Sequence, residues 1–73
     1  MKKRFILEGL DCANCAAKME EAIGKLEGVK EVTVNFLTQK LVIVGEEEKM
    51  PAIVQAAERV IKKIEPNTTM KSA

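Results

Sequence analysis

Histidine, tryptophan and tyrosine are missing from this 73-residue sequence, and tryptophan's absence leaves Phe5 and Phe36 as its only aromatic residues. Two phenylalanines do not furnish the stacking platform on which single-stranded RNA modules splay their bases. Charge of one sign is missing as well: 12 Lys+Arg stand against 11 Asp+Glu, a net of +1. Nucleic-acid binding needs a strongly basic face, so that class of partner is excluded. No apolar run approaches the ~18 residues that cross a bilayer, so no direct membrane insertion is expected. The start, MKKRFILEGLD, has a basic end and an apolar triplet too short for a secretory signal. Cysteine is scarce, with two in the chain. Without a signal peptide they read as reduced thiols in a cytoplasmic protein, suited to metal binding or catalysis rather than to a structural disulfide.

What is present is a regular alternation of elements. A chain of this length makes one domain at most, taken as residues 1–73. Lys3–Leu7 reads as a strand ended by Gly9. Ala16, Met19, Ala22, Ile23 and Leu26 form a helical stripe, with Asn14 as the expected N-cap and Gly28 as the stop. Gly24 lies off that stripe. Val29–Phe36 alternates as a half-buried strand, turns at Leu37–Gln39 and returns as Leu41–Val44. The acidic run at 45–49 reads as a solvated loop. A second stripe follows: Met50, Ile53, Val54, Ala57, Val60, Ile61 and Ile64, with Pro51 in the first turn and Pro66 enforcing the stop. Met19 and Met50 sit at helical spacing and read as core rather than as metal ligands. Asn67–Lys71 leaves room for a short last strand. The order β-α-β-β-α-β predicts an α+β, ferredoxin-like fold: a four-stranded antiparallel sheet with two helices on one face.

Both cysteines fall in the stretch GLDCANCAAKME, with Cys12 in the loop after the first strand and Cys15 in the first helical turn. A helix N-terminus offers unpaired N–H groups that favour thiolate, the form that binds metal and also attacks disulfides. Spacing alone does not choose between these. A structural zinc site wants four protein ligands, and two cysteines without histidine leave it short. For a thiol–disulfide redox protein the surroundings differ from the thioredoxin pattern: Ala13 and Asn14 separate the cysteines, and Asp11 places a negative charge beside the first sulfur. The third reading is an open site that passes its metal on by ligand exchange. Two thiolates suit Cu(I), whereas Zn(II) and Cd(II) want a further donor, for which Asp11 is well placed. Lys18 lies within reach of the site on the helix but reads as an ordinary exposed helix lysine.

GLDCANCAAKME, followed by LEGV and VTVNFLTQKLVI, resembles the heavy-metal-associated domain, over a core of about residues 4–70. That family includes copper chaperones, mercury-binding proteins and N-terminal domains of metal-exporting P1B-type ATPases. The resemblance implies the βαββαβ fold and carries metal ligation onto Cys12 and Cys15. Copper members have Met-Thr or Met-His before the first cysteine; here the pair is Leu10-Asp11. An aspartate in that place looks like the zinc/cadmium/lead branch, where it serves as a third ligand. Copper chaperones also carry a lysine in the loop before the last strand, and Glu65-Pro66-Asn67 does not supply that charge. The resemblance therefore implies a non-catalytic module for Zn(II), Cd(II) or Pb(II), held by Asp11, Cys12 and Cys15. Its implied partners are the membrane and catalytic domains of a parent ATPase in the cell membrane. A free-standing Cu(I) or mercury chaperone is the alternative.

Overall fold

Side chains that alternate inward and outward along three of the strands, and two apolar helical stripes to cover them, set the architecture. The computed structural model describes residues 1–72, so the domain's end at Ala73 lies outside the described residues. The elements are β1 (Lys2–Glu8), α1 (Ala13–Gly24), β2 (Val29–Asn35), β3 (Lys40–Gly45), α2 (Met50–Ile64) and β4 (Thr69–Ser72). The strands pair antiparallel in the order β2-β3-β1-β4. Helix α1 packs on β2 and against α2, which reaches β4, so both helices cover one face. This is the ferredoxin-like fold that the element order predicts.

The register decides which side chains face the helices. Phe5 pairs with Leu41, and Lys3 with Ile43, so Phe5, Leu7, Leu41 and Ile43 point into the core. There they meet Ala16, Met19 and Ile23 from α1 and Met50, Ile53, Ala57 and Ile61 from α2. Both methionines are therefore core residues, as their spacing predicts. The opposite face carries Arg4, Ile6, Lys40, Val42, Val44 and Thr33, with no aromatic among the described residues. Phe5 is buried and Phe36 packs against the core, so base stacking on the open face has no platform.

Several boundaries differ from the sequence reading, each for a local reason. Helix α1 is capped by Cys12, not by Asn14, because the Cys12 sulfur accepts the N–H of Cys15. The helix stops at Gly24 rather than running to Gly28, and Lys25 caps its end through Ala22 and Ile23. Gly28 acts later: its φ of +90° turns the chain into β2. A Cβ on Gly24 would stand 3.3 Å from Val32 Cγ1, so that position keeps the helix close to β2. Strand β2 ends at Asn35 instead of Phe36, because the Asn35 side chain accepts from the N–H groups of Leu37 and Thr38 and starts the turn. The acidic loop contains a 3-10 turn, Glu47–Lys49, with Lys49 bridging Glu27 and Glu46. Strand β4 begins at Thr69, leaving Thr68 buried just ahead of it.

Candidate metal centre

The Cys-x-x-Cys segment sits where β1 gives way to α1, and Gly9, Leu10 and Gln39 shape the loop that carries it. Gly9 takes φ +89°, and a Cβ there would meet the Asn67 carbonyl oxygen at 2.9 Å, so only glycine lets the two loops touch. Leu10 is buried and anchors the loop in the core. Its carbonyl accepts from the Gln39 side-chain amide at 2.6 Å, while the Gln39 carbonyl accepts from the Leu7 N–H at 2.7 Å. Gln39 holds φ at 57°, an uncommon left-handed conformation outside glycine, and thereby braces the loop from the β2–β3 turn.

Beyond that loop the helix begins, and the two sulfurs differ in character. Cys12 is the N-cap residue, and its Sγ lies 3.2 Å from the backbone nitrogen of Cys15. Support from the Cys15 side chain, followed by that backbone N–H, pulls the Cys12 thiol below its ordinary value of 9.0. Cys15 moves the opposite way, to about 11, because its proton serves Cys12 and because burial and the neighbouring negative charges resist a second thiolate. The helix N-terminus therefore stabilises one thiolate, not both. Lys18 is exposed and exerts the weakest of the pulls on Cys15, in the direction of thiolate.

A carboxylate from outside the Cys-x-x-Cys segment also reaches the sulfurs. Glu65 Oε2 stands 3.9 Å from Cys15 Sγ, a long sulfur contact across 50 residues of sequence. Glu65 opposes ionisation of both cysteines. The negative charge set against the sulfurs thus comes from the residue after α2, whereas the sequence reading assigned that effect to Asp11. Asp11 itself is exposed beside Cys12. Among the described residues no three His, Cys, Asp or Glu side chains gather into a ready metal cluster. The sequence signal for Glu65 was weak: Pro66 marks the end of α2, and the first residue beyond it swings back toward the helix N-terminus.

The asymmetry of the sulfurs has a direct readout. Iodoacetamide reacts with thiolate, so Cys12 is expected to be alkylated first in mildly alkaline buffer. The initial rate at Cys15 should stay well below that at Cys12 and go on rising until the pH passes about 11. Initial rates matter, since blocking Cys12 removes the main cause of the shift at Cys15. Peptide mass mapping of the fully reduced protein measures both. Equal initial rates would contradict the arrangement described.

Chemically, this is a pair of thiols on a braced loop at a helix N-terminus, half-buried and open to a partner's ligand. Comparison with known proteins finds relatives in sequence and in structure. A cadmium, zinc and cobalt-transporting ATPase of Bacillus subtilis (strain 168) is 30% identical over 71 residues, 97% of this chain and 10% of that protein. The copper chaperone CopZ of Enterococcus hirae is 41% identical over 52 residues, 71% of this chain and 75% of the chaperone. Among solved structures, the N-terminal domain of a potential copper-translocating P-type ATPase from Bacillus subtilis, determined in the Cu(I)-loaded state, superposes with a TM-score of 0.79. It is 28% identical, with 97% of this chain and 84% of that one covered. Residues 4–69 match the heavy-metal-associated domain as a whole, and with the fold and the paired thiols in place the chain belongs to that family.

Proposed function

We propose that residues 1–73 form one metal-transfer domain that binds a single Zn(II), Cd(II) or Pb(II) ion through Cys12, Cys15 and Asp11 and hands it on. In this reading the domain sits on the cytoplasmic side of a metal-exporting P-type ATPase and delivers to its membrane and catalytic parts. The domain itself carries out no catalysis. The observation that carries the choice of metal is the charge around the sulfurs. Cys15 Sγ faces Glu65 and Cys12 adjoins Asp11, while among the described residues Lys18 is the cation that acts on Cys15. A divalent ion offsets more of that negative charge than Cu(I) does, and it also uses the oxygen donor that a soft monovalent ion does not need. The alignment of 97% of this chain with 10% of a cadmium, zinc and cobalt transporter supports the same assignment.

A second reading exchanges the carboxylates. Glu65 lies 3.9 Å from Cys15 Sγ and competes with Asp11 for the place of third donor. Cu(I) is the alternative cargo, supported by the 41% identity with a copper chaperone. The deciding experiment is a titration of the reduced protein with Zn(II), Cd(II), Pb(II) and Cu(I), each in competition with a chromophoric chelator. One divalent ion per chain is expected, with sulfur-to-metal charge-transfer absorption for Cd(II) and Pb(II). Tight binding of Cu(I) alone would reassign the cargo. Disulfide-reductase turnover dependent on both cysteines would move the protein to the redox class.

A further inference from the structure

Thr68 is fully buried, and its Oγ1 has no hydrogen-bond partner among the described residues. A buried hydroxyl without a partner lowers stability, so valine, which has the same shape, would be the more stabilising residue here if the fold alone mattered. Its place is specific. The Thr68 N–H donates to the Glu65 carbonyl at 3.0 Å, tying it to the residue that faces Cys15. Its Cα lies 3.9 Å from where a Gly9 Cβ would stand, so it underlies the glycine at the start of the thiol loop.

That glycine is the point at which the loop can turn. Among the described residues Asp11 is not gathered with Cys12 and Cys15 into a three-ligand cluster. Joining an ion held by the two sulfurs therefore calls for a shift of residues 9–11, and Gly9 has the conformational freedom to allow it. The Leu10 carbonyl is already held by Gln39. We infer that Thr68 is a positioning residue whose buried hydroxyl donates to another backbone carbonyl of residues 9–11 when the loop closes on the ion. This rests on the metal-binding reading above and adds to it a partner that the ion-free loop leaves unused. The hydroxyl keeps its donor in reserve, and the loaded loop gains a hydrogen bond that the free loop lacks.

Two variants, Thr68→Val and Thr68→Ser, test this, with Cd(II) alone as the probe. Each is measured twice: by urea unfolding of the metal-free protein, and by Cd(II) competition with a chelator. For Thr68→Val the metal-free midpoint should stay level or rise, while Cd(II) affinity falls about tenfold, the usual effect of losing an outer partner of a metal site. Thr68→Ser keeps the hydroxyl and should bind Cd(II) like the parent. A merely structural threonine would move stability and affinity together, so the opposite signs are diagnostic. Unchanged Cd(II) affinity in Thr68→Val overturns the inference, and so does a lowered metal-free midpoint. If the parent protein itself fails to bind Cd(II), the functional reading falls first, which the parent titration reveals separately.

Discussion

Replacing either cysteine by serine is expected to abolish tight metal binding and leave the fold standing. The fall in affinity should exceed the roughly hundredfold that follows loss of an outer-shell partner, because here a direct ligand is removed. The separation of binding from folding follows from where the two residues sit. Cys12 is the N-cap of α1, and serine is among the residues preferred there, so Cys12→Ser retains a side-chain acceptor for the Cys15 N–H. Cys15 is half-buried and lies at the edge of the core, whose interior is filled by Leu7, Met19, Ile23, Leu41, Ile43 and Ile61. The metal-free protein should therefore be folded in the presence of chelator, unlike a zinc-knot domain, which needs its ion to fold. Urea midpoints within error of the parent, combined with lost Cd–thiolate absorption, are the expected pair of results. Collapse of both variants would mean that the thiols hold the fold together and would remove the transfer reading.

The second large effect is a change of metal preference, read by comparing Asp11→Ala with Glu65→Gln. If Asp11 is the third donor, its loss should weaken Zn(II) and Cd(II) by one or two factors of ten, each about 1.4 kcal/mol. Cu(I) affinity should hold level or rise, since two sulfurs satisfy it and one negative charge is gone. Glu65→Gln removes the charge 3.9 Å from Cys15 Sγ, which opposes both thiolates. That variant should bind Cu(I) more tightly and let Cys15 ionise at a lower pH. Should the larger divalent loss appear in Glu65→Gln, the third donor is Glu65 and not Asp11. Parallel losses for every ion in Asp11→Ala would make the aspartate a shaper of the loop. Both variants are titrated at one pH, with free thiols counted before each run.

The comparison of these two carboxylates also marks what the sequence could tell. Asp11, Cys12 and Cys15 are neighbours in the chain, so a local motif exposes them. Glu65 reaches Cys15 only because α2 ends at Ile64 and the chain doubles back, a contact that depends on the docking of both helices. The helical stripes were legible from spacing, since Ala16, Met19 and Ile23, then Met50, Ile53, Ala57 and Ile61, are the residues buried. The ends of α1 were not. A thiol rarely serves as an N-cap, and helix propensity gives no reason to stop at Gly24 rather than at Gly28. Gln39 and Thr68 were equally hidden: one works through a left-handed backbone, the other through a burial that only the assembled sheet creates. The face taken by Leu41 and Ile43 is set by their pairing with Phe5 and Lys3, which alternation within the strand alone does not specify.

Strand β2 lies at the rim of the sheet, where backbone groups face outward without a neighbouring strand. One of them is already occupied: the Val34 N–H donates to Glu20 Oε2 of α1 at 2.9 Å. A bare rim of this kind is a template on which a second molecule can add its own strand, and chains joined that way grow into aggregates. Glu20 closes the C-terminal end of that template with a charged side chain that an incoming strand must displace there. On the transfer reading proposed above, the domain has to be approached closely without sticking, and the carboxylate at the rim guards that side against strand addition.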